Sequence, residues 1–127
     1  MAKPIAVRRD QTWEYVLQAN REDPEEDQVV FVLGPPSAAQ AADIWAAVEI
    51  VEAGKIRFTG KAALRAFRAG LREVRGLTDQ SGSPVKIIRA DGFVLPELVD
   101  LFADRDINEV GTEVITRSLM AETERGK

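Results

Sequence analysis

Apolar and polar residues alternate near the start of the chain. Trp13, Tyr15 and Leu17 share one face at a period of two, which predicts a strand over about 12–18. A charged turn follows, and then comes an apolar run of strand length over about 28–33. Two such runs around a polar loop predict an N-terminal β-hairpin. Because residues 29–32 are apolar on both faces, we expect the second strand to be covered on both sides.

Further along, apolar residues recur at the spacing of an α-helix. The first such stretch has Ser37 as its N-cap, Gln40 completing a capping box, and Gly54 placed to end the helix. Its apolar stripe includes Ile44 and Trp45, which we expect in the core. The four predicted helices span about 37–53, 60–75, 96–103 and 106–119.

The other boundary signals refine these elements. Thr59 can cap the second helix, and the pair Asp106 and Glu109 predicts another capping box for the fourth. Pro96 suits the first turn of the third helix. A short strand is predicted over about 85–89. These elements define an α+β fold that is mainly helical.

Chain length predicts one domain. The 127 residues are enough for a single hydrophobic core. We expect a flexible N-terminus over 1–11, a single α+β domain over 12–120 and a flexible polar tail over 121–127. No secretory leader or membrane span is apparent, so a cytoplasmic protein is expected.

Composition narrows the chemistry. The sequence contains no cysteine and no histidine. Disulfide scaffolds, thiolate zinc sites, cysteine nucleophiles and imidazole bases are therefore excluded. Near matches to a phosphate-binding loop at 54–61 and to a calcium loop at 104–115 lack the required spacing and glycine. We predict no catalytic, cofactor-binding or metal-binding residues, and we do not expect an enzyme.

Charge is distributed unevenly. The formal net charge is -4, yet residues 54–76 hold seven Lys/Arg and one Glu, a net of +6. On the predicted second helix the basic residues recur at helical period and form a stripe. That stripe is either a solvated face or a partner-binding face, and nucleic acid is disfavoured by the acidic total. The candidate partner-binding residues are Lys61, Arg65, Arg68, Arg72 and Arg75.

The order of these elements resembles the tail assembly chaperones of long-tailed bacteriophages. The likeness is carried by the opening strands, 13–17 (WEYVL) and 24–33 (PEEDQVVFVL), and by the helix end and turn, 71–85 (LREVRGLTDQSGSPV). It continues from 95–98 (LPEL) through the last helix to 121–124 (AETE). Related sequences often place an aromatic-containing stretch after the glycine of the turn, where this chain has leucine.

The resemblance implies a non-catalytic chaperone that binds the tape measure protein, tail tube subunits or both. It also implies a protein, encoded by a phage or prophage, that acts in the cytoplasm of the bacterial host and is absent from the mature virion. Whether the protein forms a homo-oligomer stays open. The alternatives are a minor structural protein, for tail completion or head–tail joining, and a small DNA-binding regulator.

Overall fold

The computed structural model describes residues 11–50, 56–57 and 60–120. Over these residues the chain has a mixed α+β fold, as the sequence predicts. The strands are β1 (Trp13–Val16), β2 (Val30–Leu33), β3 (Glu49–Ile50), β4 (Ile56–Arg57), β5 (Leu71–Arg75), β6 (Arg89–Ala90) and β7 (Phe93–Val94). The helices are α1 (Ala38–Ala46), α2 (Gly60–Gly70), α3 (Pro96–Val99) and α4 (Asp104–Ile115), and a π-helical turn follows at Thr116–Met120.

The predicted N-terminal hairpin is confirmed, with shorter strands than expected. β1 pairs antiparallel with β2, placing Trp13 opposite Leu33 and Tyr15 opposite Phe31. Phe31 and Leu33 are buried, and Trp13 and Tyr15 pack against the same core. The period of two in the first strand therefore identified its buried face correctly.

The second predicted helix, 60–75, is wrong in its last turn. It ends at Gly70, and the chain continues directly into β5, which pairs antiparallel with β2. A bulge shifts the register so that Leu71 lies opposite Leu33 and Val74 opposite Phe31. Leu71 and Val74 thus face the core three residues apart, a spacing that a regular strand does not give. In the sequence the same spacing is typical of one face of a helix, which is why a helix was predicted here.

The first predicted helix, 37–53, is too long. Its capping box is confirmed, because Ser37 and Gln40 each bond the other's main chain. The helix ends at Ala46, however, and the chain enters β3, which pairs with β4. Branched residues beyond the helix end favour extended backbone. Trp45, expected in the core, is 37% exposed, while Ile44 is buried.

The strand predicted at 85–89 is displaced. The ladder begins only at β6 and pairs with β7 across a two-residue turn. Asp91 and Gly92 both have positive φ, 54° and 84°. A tight hairpin of this kind requires that backbone, which Asp-Gly adopts readily. The turn chemistry, rather than the apolar run before it, sets the position of the strand.

The last two predicted helices, 96–103 and 106–119, are shifted. α3 has Pro96 in its first turn, as predicted, but ends at Val99. α4 begins at Asp104, and its N-cap, Ala103, makes no side-chain cap bond. The predicted capping box of Asp106 and Glu109 is therefore wrong. Asp104 and Asp106 instead lie in the first turn, where their negative charge interacts favourably with the helix dipole.

Helices α2 and α4 cross closely at the centre of the core. α2 presents small buried residues there, Ala62, Ala63 and Ala66 among them. A Cβ added to Gly111 of α4 would collide with the carbonyl oxygen of Ala63. Several predicted features lie outside the described residues. They are the end of the first helix at Gly54, the N-cap of the second helix at Thr59, and the flexible ends apart from Gln11.

Candidate functional site

The five basic residues predicted to bind a partner do not form one helical stripe. Lys61, Arg65 and Arg68 lie on α2, while Arg72 and Arg75 lie on β5. The break follows from the strand that replaces the last helical turn. Lys61 is exposed in the first turn of α2.

Two arginines of α2 bond to the main chain of neighbouring elements. Arg65 donates to the carbonyl oxygen of Asp43 in α1 at 3.0 Å. Arg68 donates to the carbonyl oxygen of Val94 at 3.1 Å, and its guanidinium lies 5.4 Å from the centre of the Phe93 ring. These contacts join α2 to α1 and to the β6–β7 hairpin, so both cations help to hold the fold.

The two arginines of β5 differ in environment. Arg72 is half-buried and donates to the carbonyl oxygen of Pro35 at 2.8 Å, and burial lowers the pKa of its guanidinium. Arg75 is exposed and pairs with Glu14 at 2.6 Å and Glu73 at 3.1 Å. Its hydrogen bonds with these carboxylates, Glu14 first, raise its pKa. Four of the five basic residues thus have contacts within the fold. Partner binding by the five residues stays a prediction.

A first groove lies between the hairpin and α4. It has a volume of about 430 Å³ and includes Tyr15, Gln18 and Glu109 in its lining. The Tyr15 hydroxyl donates to the Glu109 carboxylate at 2.6 Å, and the main-chain N–H of Gln18 donates to the same oxygen at 2.9 Å. Trp13 donates its indole N–H to Glu113 at 3.1 Å. These bonds fasten β1 to α4.

The Tyr15 hydroxyl in this groove is a weak acid. Burial, then the hydrogen bond to Glu109 and its negative charge, raise the pKa of Tyr15 to about 12. The phenol therefore stays protonated at neutral pH and acts as a donor to the carboxylate. The arrangement stabilises the attachment of the hairpin, and both carboxylates are engaged in it.

A second groove, which we call the Leu101 groove, lies between the turn after β5 and the residues that follow α3. Its volume is about 590 Å³. Leu101 is 53% exposed, whereas Val85 is buried. The lining residues are Leu77, Thr78, Asp79, Gln80, Ser81, Val85, Asp100 and Leu101.

The turn that forms one wall of the Leu101 groove is held by its own hydrogen bonds. One oxygen of Asp79 accepts from the main-chain N–H groups of Ser81, at 2.9 Å, and Ser83, at 3.0 Å. The Ser81 hydroxyl donates to the same oxygen at 2.6 Å. These hydrogen bonds, with the Ser81 hydroxyl as the largest contribution, lower the pKa of Asp79. The wall therefore presents a fixed carboxylate that is ionised at neutral pH.

Sequence reasoning did not find the Leu101 groove. The sequence predicts a helix over 96–103, which would keep Leu101 within regular structure. The signal that the sequence does carry is Leu101 itself, an apolar residue next to Asp100. α3 ends at Val99, so Leu101 follows the helix, and it lines the groove.

Among the residues that the structure describes, no group of three or more acidic side chains is arranged to hold a metal ion. In the same part of the chain, no helix has the length and apolar character needed to cross a membrane. No family model, curated protein or solved structure matches the chain.

Proposed function

We propose that the protein is a non-catalytic tail assembly chaperone of a long-tailed bacteriophage. It would bind the tape measure protein, tail tube subunits or both in the host cytoplasm and be absent from the finished particle. The observation that carries the proposal is the Leu101 groove. Its walls come from two of the stretches on which the resemblance rests, 71–85 and the region beginning at 95–98.

The physical requirement for such a protein is a surface that covers apolar residues temporarily. A long helical protein that has not yet assembled exposes apolar faces and aggregates. The Leu101 groove offers exposed Leu101 and partly buried Leu77 beside two carboxylates, Asp79 and Asp100. Such a mixed surface suits reversible binding, because its polar members remain solvated when the partner leaves.

The first test is a tagged pull-down from bacteria that produce the phage encoding this chain. We expect capture of the tape measure protein or the tube subunit, identified by mass spectrometry against the phage's own proteins. Purified particles from the same culture should lack the chain. Recovery of the chain in stoichiometric amounts from particles would instead identify a minor structural tail protein, for tail completion or head–tail joining.

A matched pair of charge reversals tests the basic residues. Lys61→Glu changes an exposed side chain of α2, and Lys86→Glu makes the same change on an exposed residue elsewhere. If the basic residues contact the partner, Lys61→Glu lowers capture and Lys86→Glu does not. Arg68 and Arg72 are unsuitable for this test, because each also donates to a carbonyl oxygen within the fold.

A further inference from the structure

We propose that the Leu101 groove binds an amphipathic helix that presents a leucine- or methionine-sized side chain next to lysine or arginine. This inference rests on the proposed function, since it specifies which kind of segment the chaperone would hold. It follows from three features of the groove: its apolar residues, its charge and the state of its main chain.

The apolar residues of the groove determine which side chain of the partner helix would be seated there, and we call that side chain the anchor. Leu77, Val85 and Leu101 lie within one groove of about 590 Å³, a volume within the range of ligand-binding clefts. Leu101 exposes 53% of its surface, and an apolar partner side chain seated there would remove part of that surface from water.

Charge defines the neighbours of the anchor. Asp79 and Asp100 are the charged residues of the lining, and no lysine or arginine accompanies them. Hydrogen bonds from the turn keep Asp79 ionised and in place. Exposed ion pairs add little affinity, but complementary charge orients a partner and selects against acidic segments. A basic residue one helical turn from the anchor would complement this rim.

The main chain around the groove favours a helix over an extended strand. The N–H of Val85 donates to the carbonyl oxygen of Leu77 at 2.9 Å, and the N–H of Leu101 donates to that of Leu98 at 3.1 Å. Thr78 and Pro84 are bridged within the turn. The groove thus offers side chains rather than a free ladder edge. A helix, which satisfies its own main chain, is the segment that such a surface recognises.

The experiment uses the full chain and a labelled peptide of about 18 residues, five helical turns, with leucines on one face and lysines elsewhere. A peptide with glutamate replacing every lysine is the charge control. Fluorescence anisotropy should show saturable binding of the leucine–lysine peptide and at least tenfold weaker binding of the leucine–glutamate peptide. Equal binding of both peptides, or none of either, overturns the proposal.

Matched variants locate the binding site. Leu101→Ala and Asp100→Lys change the groove, while Ile88→Ala and Glu97→Lys make equivalent changes at exposed residues outside its lining. We expect roughly tenfold weaker peptide binding for each groove variant, because Leu101→Ala removes apolar contact area and Asp100→Lys places a like charge beside the lysines of the peptide, and we expect unchanged binding for the controls. All four should keep the wild-type unfolding midpoint. Equal losses from groove and control variants would show that binding does not depend on the groove and would overturn the proposal.

Two further outcomes distinguish a failure of the groove assignment from a failure of the proposed function. If the pull-down captures a tail protein equally with wild type and Leu101→Ala, the proposed function stands and the groove assignment fails. If the peptide binds as described but no tail protein is captured, the groove assignment stands and the function fails. Sedimentation showing that wild type is a dimer and Leu101→Ala a monomer would identify the occupant as a second copy, which also overturns the proposal.

Discussion

The guanidinium of Arg89 donates to the carbonyl oxygen of Leu71 at 2.6 Å, across the point where α2 becomes β5. The same group donates to the carbonyl oxygens of Ala69, at 3.0 Å, and Gly92, at 2.6 Å. The last carbonyl groups of a helix have no partner within it. Arg89 supplies that partner here, and it joins the β6–β7 hairpin to the helix end in doing so.

Replacing Arg89 should therefore destabilise the whole domain. Arg89→Met keeps roughly the length of the side chain but removes the donor of the partly buried carbonyl groups of Ala69 and Leu71, whereas Gly92 still accepts from the side chain of Gln40. We expect a loss of about 2–3 kcal/mol in the free energy of unfolding, the range for charged hydrogen bonds and unsatisfied polar groups. Urea unfolding followed by tryptophan fluorescence measures it. Arg89→Lys should recover only part of the loss, because an ammonium lacks the planar fork of donors.

The control for Arg89 is Arg105→Met. The Arg105 side chain is 87% exposed, and its Nε lies 3.7 Å from a carboxylate oxygen of Asp106. Exposed pairs of this kind contribute little, so the change should stay within about 0.5 kcal/mol. Equal effects of the two substitutions would show that Arg89 acts only through its charge and not as a cap of α2.

The sequence predicts the class of fold, and it fails where a bulge or a turn overrides periodicity. Spacing alone cannot distinguish Leu71 and Val74 on a helix from the same residues on either side of a bulge, because both arrangements bury them together. The pairing with β2 decides between them, and it depends on residues some forty positions earlier. Capping by Ser37 and Gln40 is local, which is why it was predictable.

The basic residues show the same limit at the level of the site. Their charge is visible in the sequence, but the acceptors of Arg65, Arg68 and Arg72 are main-chain carbonyl groups on other elements. Every residue has such a group, so no side-chain pattern reveals which one is used. The Leu101 groove escaped prediction for a related reason, since its two walls meet only in the folded chain.

Tyr15 gives a prediction with a direct optical readout, because it is the only tyrosine in the sequence. Burial and the bond to Glu109 raise its pKa to about 12. At pH 10.5 the folded protein should show little tyrosinate absorbance, whereas the protein unfolded in urea should be mostly ionised, with a pKa near 10. Since the folded pKa is the higher one, this contribution to stability is complete below pH 10 and is lost between about pH 10 and pH 12.

The matched variant for Tyr15 is Glu109→Gln. It removes the negative charge while leaving an oxygen able to accept from the hydroxyl. The pKa of Tyr15 should then fall toward its ordinary value, and tyrosinate should appear at lower pH than in wild type. If folded wild type titrated at the same pH as the unfolded protein, the Tyr15 hydroxyl would not be bonded to Glu109 in solution.

The capping box of α1 predicts a modest effect. The Ser37 hydroxyl accepts from the N–H of Gln40 at 3.2 Å, and the Gln40 side chain accepts from the N–H of Ser37 at 2.9 Å. Ser37→Ala should lower the free energy of unfolding by about 1 kcal/mol, whereas Ser37→Gly should cost only a few tenths. Thermal unfolding of both variants measures the difference. Equal losses would indicate that the hydroxyl does not cap α1 in solution.

Gly111 gives the sharpest test of the helix crossing. In a helix interior alanine is more favourable than glycine by about 1 kcal/mol, so helix propensity alone predicts that Gly111→Ala is stabilising. The added Cβ would instead collide with the carbonyl oxygen of Ala63, which no rotamer change can relieve. We expect a net loss of about 1–3 kcal/mol in chemical denaturation. Gly60→Ala is the control, because among the residues that the structure describes its Cβ would meet only Asn108, at 3.9 Å. A stabilising Gly111→Ala would mean that α2 and α4 lie further apart than described.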